Sequence, residues 1–126
     1  MPGKLPRYLA VLSSQEWRDE ISEIRIIGHT SSAWGGSGII DNEETRYIRN
    51  AKLSQERSYE VLEYIYTLPM DPEQRTWLRK VLRATGASYA EPVLINGAED
   101  EEKSRRVEFH AIRRADEKIY DILNNL

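Results

Sequence analysis

Arg57 is the residue of this chain best equipped to hold a ligand. It closes the pattern Asn50-x-x-Leu53-Ser54-x-x-Arg57, and a second group, Gly28-His29-Thr30, stands upstream. A guanidinium is a planar fork of donors that meets a carboxylate in bidentate geometry, and the pair strengthens when shielded from water. Gly28 follows a short apolar stretch, Ile24 to Ile27, which marks a tight turn after a strand. Ser54 reads as the N-cap of a helix running to about Leu68, with Arg57 on its first turn. A turn and a helix start can converge on one anion, because unpaired N–H groups and the helix dipole both point at it. The competing reading of Arg57 is a surface ion pair with Glu56 or Glu60. For Ser31 it is a turn or capping hydroxyl that bonds locally.

Other chemistry finds little support. The chain has no cysteine, which excludes thiol catalysis, disulfides and thiolate metal sites. Its two histidines, His29 and His110, have no neighbour at ligand spacing, whereas a zinc site draws about three or four ligands from closely spaced pairs. His29 therefore reads as a packed turn residue. Ser54 has no evident histidine and acid to activate it. No catalytic residue, metal site or cofactor is expected, and the chain reads as a binding protein rather than an enzyme.

The 126 residues allow one domain with a real core. Hydrophobic residues make up 40% and charged residues 31%, the balance of a globular chain rather than a disordered one. The net charge of −3 argues against nucleic acid as a partner, since no basic excess would neutralise phosphates. No apolar run approaches the ~20 residues that span a bilayer, and the first residues lack the layout of a signal peptide. Read alone, the chain would be cytosolic; as a piece of something longer, the rest could carry a targeting or membrane segment.

The positioning elements follow from periodicity. Leu5 to Leu12 has partial helical spacing, and Ser13-x-x-Glu16 fits a capping box that restarts a helix through Trp17 to Ile21. A buried strand over Ile24 to Ile27 ends at Gly28. From Ser31 to Arg49 the chain turns loop-like around Trp34-Gly35-Gly36, with helix possible over Glu43 to Arg49. Trp34 could stack on a sugar or partner, or plug the loop onto the core. In the next helix Val61, Leu62, Ile65 and Leu68 form one face, and Pro69 stops it. Asp71-Pro72-Glu73-Gln74 opens another, with Trp77, Leu78, Val81 and Leu82 inward and Gly86 as C-cap. Tyr89 to Ile95 reads as a strand with Pro92 at a kink or edge, and Val107, Phe109 and Ala111 alternate in a last one. A helix over about 115–126 closes the chain. This is an α/β class, an α+β sandwich with helices packed on one face of a small mixed sheet.

These motifs, in this order, resemble the OmpA-like peptidoglycan-binding domain of outer-membrane anchors and of MotB-type stator subunits. Gly28, His29, Thr30, Asn50, Leu53, Ser54, Arg57, Arg105, Arg106, Val107 and Glu108 match the family pattern, over roughly 24–112. The resemblance implies a single OmpA-like domain over 1–126, with a core at about 5–113 and the added C-terminal helix. It implies that Arg57 receives the carboxylate of diaminopimelate in the peptidoglycan stem peptide. Thr30, Ser31 and Asn50 would complete the pocket with a basic side chain from Arg105 or Arg106, one facing the pocket and the other solvent. Ser31 departs from the pattern: the family has an Asp there, which takes the ligand's amino group. Ser32 or loop acids such as Asp41, Glu43 or Glu44 could contribute in its place. Ser104 stands where the family has Asn, and the family's first strand has no counterpart before Leu5.

The function so implied is a non-catalytic wall anchor in the periplasm, part of a longer membrane-anchored protein. It would pair with itself and with a membrane-embedded partner subunit. The loop after Gly28 and the acidic run before Ser104 also resemble a subgroup of stator-type subunits that includes those of an anti-phage defence system. The alternative is a protein-interaction domain that kept the fold and lost the ligand site, motivated by Ser31 and the expanded loop.

Overall fold

Strand β1 (Ile21–His29) is the centre of the molecule, with β2 (Leu82–Gly86) parallel on one side and β5 (Arg106–Arg113) antiparallel on the other. The computed structural model describes residues 4–33 and 42–116. A two-stranded ribbon, β3 (Leu94–Ile95) with β4 (Ala98–Glu99), stands apart from the three-stranded sheet. Helices α1 (Lys4–Leu12), α2 (Glu43–Ile65) and α3 (Pro72–Val81) cover one face, and the short α4 (Glu101–Ser104) leads into β5. The expected sandwich is what forms. Among the described residues no helix is long and apolar enough to cross a membrane.

Alternation in β1 decides which face is covered. Ile24, Ile26 and Gly28 turn to the helices while Arg25, Ile27 and His29 turn away. Ile24, Ile26, Leu9, Ile65 and Leu78 are essentially inaccessible, and Trp77, Val81 and Leu82 complete the core. Tyr8 of α1 meets Phe109 of β5 edge-on, with ring centroids 5.8 Å apart. Trp77 Nε1 donates to Arg18 O at 3.2 Å, which ties α3 to a 3₁₀ turn over Arg18–Glu20. That turn stands where a helix through Ile21 was expected.

The long helix α2 begins earlier than its apolar pattern suggests. Asn42 is the N-cap, its side chain accepting from Thr45 N at 3.0 Å, with Glu43 and Glu44 on the first turn. Ser54 is therefore mid-helix, and the free N–H groups of the helix start lie far from Arg57. An anion at Arg57 has to be held by side chains. On α3, Asp71 caps Gln74 N at 2.8 Å and Pro72 takes the first position, as expected. Leu82 and Gly86 differ from expectation: the helix stops at Val81 and the chain passes directly into β2. Gly86 pairs with Gly28 across the parallel ladder rather than capping a helix.

The strand expected over Tyr89 to Ile95 shrinks to Leu94–Ile95. Asn96 and Gly97, at φ 54° and 81°, make a tight hairpin turn. The helix expected over 115–126 and the loop residues Trp34 and Asp41 lie almost wholly outside the described residues.

Candidate functional site

Small residues bring α2 close enough to the sheet to shape a site at the end of β1. Its inner face carries Asn50, Ser54 and Ser58, all fully buried, above Gly28 and Gly86. A Cβ on Gly28 would stand 2.2 Å from Ser54 O, and one on Gly86 would stand 2.6 Å from Ser54 Oγ. Ser58 Oγ lies 2.6 Å from Thr85 O and 3.1 Å from Ser54 O, and Gln55 Nε2 donates to Ala84 O. These contacts pin the helix to the carboxyl ends of β1 and β2.

Ser88 is the clasp. Held at φ 53°, in the left-handed region, it donates from its N–H to Ser54 Oγ at 3.0 Å and from its hydroxyl to Tyr47 O at 2.8 Å. Its carbonyl accepts Thr30 N at 2.9 Å. The turn after β1 is thereby fixed to α2 on either side of Asn50. Within this buried zone Thr30 Oγ1, Asn50 Oδ1 and Arg46 Nε have no hydrogen-bond partner among the described residues. Asn50 Nδ2 is occupied, donating to Arg46 O at 3.1 Å. The Arg46 guanidinium also sits over the Tyr89 ring, 5.9 Å from its centroid.

The next residues of the turn are held by groups from the far end of the chain. Arg105 Nη1 reaches Ser31 Oγ at 3.4 Å. Glu99 accepts from Ser32 twice, from the N–H at 3.0 Å and the hydroxyl at 2.6 Å. A carboxylate thus stands beside the position where Ser31 replaces an acid, and it comes from β4. Of the loop acids considered from sequence, Glu43 and Glu44 are exposed on the first turn of α2, and Asp41 lies outside the described residues. Of the two basic candidates, Arg105 touches the turn. Arg106 is committed elsewhere, to Glu91 O, Ser104 O and Glu108.

Arg57 sits two turns beyond Asn50 on α2, about 10 Å along the helix. It is half-buried and, among the described residues, makes no hydrogen bond or ion pair. The pairs with Glu56 or Glu60 that would make it ordinary surface do not form. Its side chain lines an open groove of about 890 Å³ between α1, α2 and β5, with Tyr8, Glu60, Val61, Val107 and Phe109. Since Val107 is paired with Gly28, this groove adjoins the turn. Three contributors were missed from sequence: Arg46, Ser88 and Glu99. Arg46 and Ser88 carry no motif, and Glu99 reads as one acid in a solvated run.

The fold and motif residues together define the class: the chain has the OmpA-like fold of the MotB type. It is 38% identical over 119 residues to the Zorya protein ZorB of Escherichia coli, a match that covers 94% of this chain and 48% of that protein. The chain spans about half the length of this curated relative. Among solved structures it is similar to the periplasmic domain of Helicobacter pylori MotB, with a TM-score of 0.56 and 20% identity. That match covers 94% of this chain and 67% of the other, and the likeness is one of fold. No protein-family model matches the chain.

Proposed function

We propose that this domain binds the diaminopimelate-containing stem peptide of peptidoglycan and anchors a stator-type membrane assembly to the cell wall. Arg57 carries the reading. A half-buried guanidinium with no partner among the described residues, in a groove wide enough for a peptide, is a carboxylate receptor in form. The unpartnered Thr30 Oγ1 and Asn50 Oδ1 support it, because buried polar atoms are normally paired. The spread from Asn50 to Arg57 suits an elongated ligand. In this reading Arg57 grips the carboxylate, while Thr30, Ser31 and Asn50 bond the peptide and Arg105 adds positive charge beside Ser31. Glu99 supplies the negative charge that an ammonium needs, in place of the acid missing at Ser31.

The wider assignment follows from the same reading. The domain would work in the periplasm as part of a longer, membrane-anchored protein, pairing with a second copy and with a membrane-embedded partner subunit. The rival is a protein-interaction domain, favoured by Ser31, whose hydroxyl cannot balance an ammonium. An NMR amide titration with diaminopimelate-containing muropeptide, on wild type and Arg57→Ala, separates the two. Shifts at Thr30 to Ser32, Asn50 and Arg57 that vanish in the variant are expected. Silence at millimolar ligand, or equal shifts in a folded variant, would sink the clamp.

A further inference from the structure

On the sheet face turned away from the helices, three side chains from distant parts of the chain meet around a buried imidazole. His29 ends β1 and is 1% exposed, Glu108 lies on β5, and Glu91 comes from the segment after β2. One ligand-type atom of each lies within 4.8 Å of the other two. The β1–β5 ladder builds the cluster: His29 stands opposite Arg106 and Ile27 opposite Glu108, so these side chains share a face.

The imidazole is the anomaly. Neither Nδ1 nor Nε2 makes a hydrogen bond, although Nε2 lies 2.6 Å from Glu108 Oε1. That approach is an ion-pair contact, attractive when the ring carries a proton, and it leaves Nδ1 with no partner among the described residues. A buried histidine normally satisfies at least one nitrogen, and a ring nitrogen beside two carboxylates is the arrangement of a metal ligand. Arg106 is the present counter-charge, with Nη2 3.2 Å from Glu108 Oε1 and Nη1 3.1 Å from Glu91 O. One arginine balances one of the two carboxylates and leaves the other without a cationic partner in the cluster.

We infer that His29, Glu91 and Glu108 form a binding site for a divalent transition-metal ion of the zinc type. One imidazole and two carboxylates match zinc's mixed nitrogen and oxygen preference, with ligand bonds of about 2.0–2.2 Å and a water in the fourth position. An imidazole in the set selects against magnesium and calcium, which take oxygen ligands. The close pair of His29 and Glu108 parts slightly to admit the ion, and Arg106 swings toward solvent. Arg106 is thus a built-in competitor for the site. The inference does not depend on wall binding, since none of its three ligands belongs to the proposed clamp.

Calorimetric titration of the 126-residue chain with zinc chloride, against magnesium chloride as control, tests this. The ring-nitrogen resonances of His29 are followed by NMR. Expected are one zinc per chain, displacement of the His29 signal and no response to magnesium. Glu91→Gln, at an exposed position that the fold does not need, should weaken zinc at least tenfold. Arg106→Gln should strengthen it severalfold. Absence of zinc binding, a His29 resonance that zinc leaves in place, or wild-type affinity in either variant overturns the site.

Discussion

Gly28 bears the tightest contact between sheet and helix, and the reason is local. Its missing side chain lets Ser54 O approach to a distance that no Cβ would permit, and a Cβ there would also stand only 2.7 Å from Ser58 Oγ. Because the nearest obstacle is backbone, a rotamer change cannot relieve it. Gly28→Ala is expected to destabilise the domain by about 3 kcal/mol, the upper part of the overpacking range, read as a lowered urea midpoint at unchanged slope. A loss below about 0.5 kcal/mol would mean that α2 can lift off the sheet freely. His29, one residue on, supplies a pH dependence. Burial first, and then Arg106, hold its pKa below the usual 6.5, while Glu108 and Glu91 pull the other way. The unfolded chain protonates His29 near 6.5 and the folded one only at lower pH. Its contribution is therefore constant above about pH 6.5 and declines as pH falls from there to the folded-state pKa. Urea midpoints at about pH 7.5 and 5.5 should show the drop, and His29→Gln should shrink it. An equal drop in that variant would assign it to other groups.

At the scale of the elements, α2 explains both what was legible and what was misread. Val61, Leu62 and Ile65 advertise its second half as an amphipathic helix, and there they pack on the core. Its first half buries Asn50, Ser54 and Ser58 instead, so no apolar stripe marks it and Ser54 passes for a cap. The true cap, Asn42, lies next to a glycine-rich loop and carries no periodic signal. For α3 the start signals were chemical and local, and they held. Asp71→Ala removes the acceptor for Gln74 N, and thermal unfolding should show about 1 kcal/mol lost, a few degrees in Tm. An unchanged Tm would show that tertiary packing alone sets this helix. Strand β2 was absorbed into α3 because Val81 and Leu82 extend the helical pattern; only pairing with Ile24 to Gly28 makes Leu82–Gly86 a strand.

For the whole molecule, stability rests on one apolar layer between three helices and a three-stranded sheet. Leu78 sits at its centre with no exposed surface. Leu78→Ala should cost about 2–5 kcal/mol, a large share of the ~5–15 kcal/mol typical of a domain, and calorimetry would register it as a pronounced fall in Tm. A change below 1 kcal/mol, a size usual for surface positions rather than core ones, would contradict the placement. The sequence by itself determined the fold class, the strands at Ile24 to Gly28 and Val107 to Ala111, the start of α3 and the pair of motifs around Thr30 and Arg57. Those signals live in side-chain period and in caps, which act over a few residues. Tertiary structure alone decided that Arg105 rather than Arg106 meets the turn and that Glu99 brings a carboxylate to Ser32. It also decided that His29 faces Glu91 and Glu108. Residues that far apart in the chain become neighbours through strand pairing and loop closure, and no local pattern records which partners those will be.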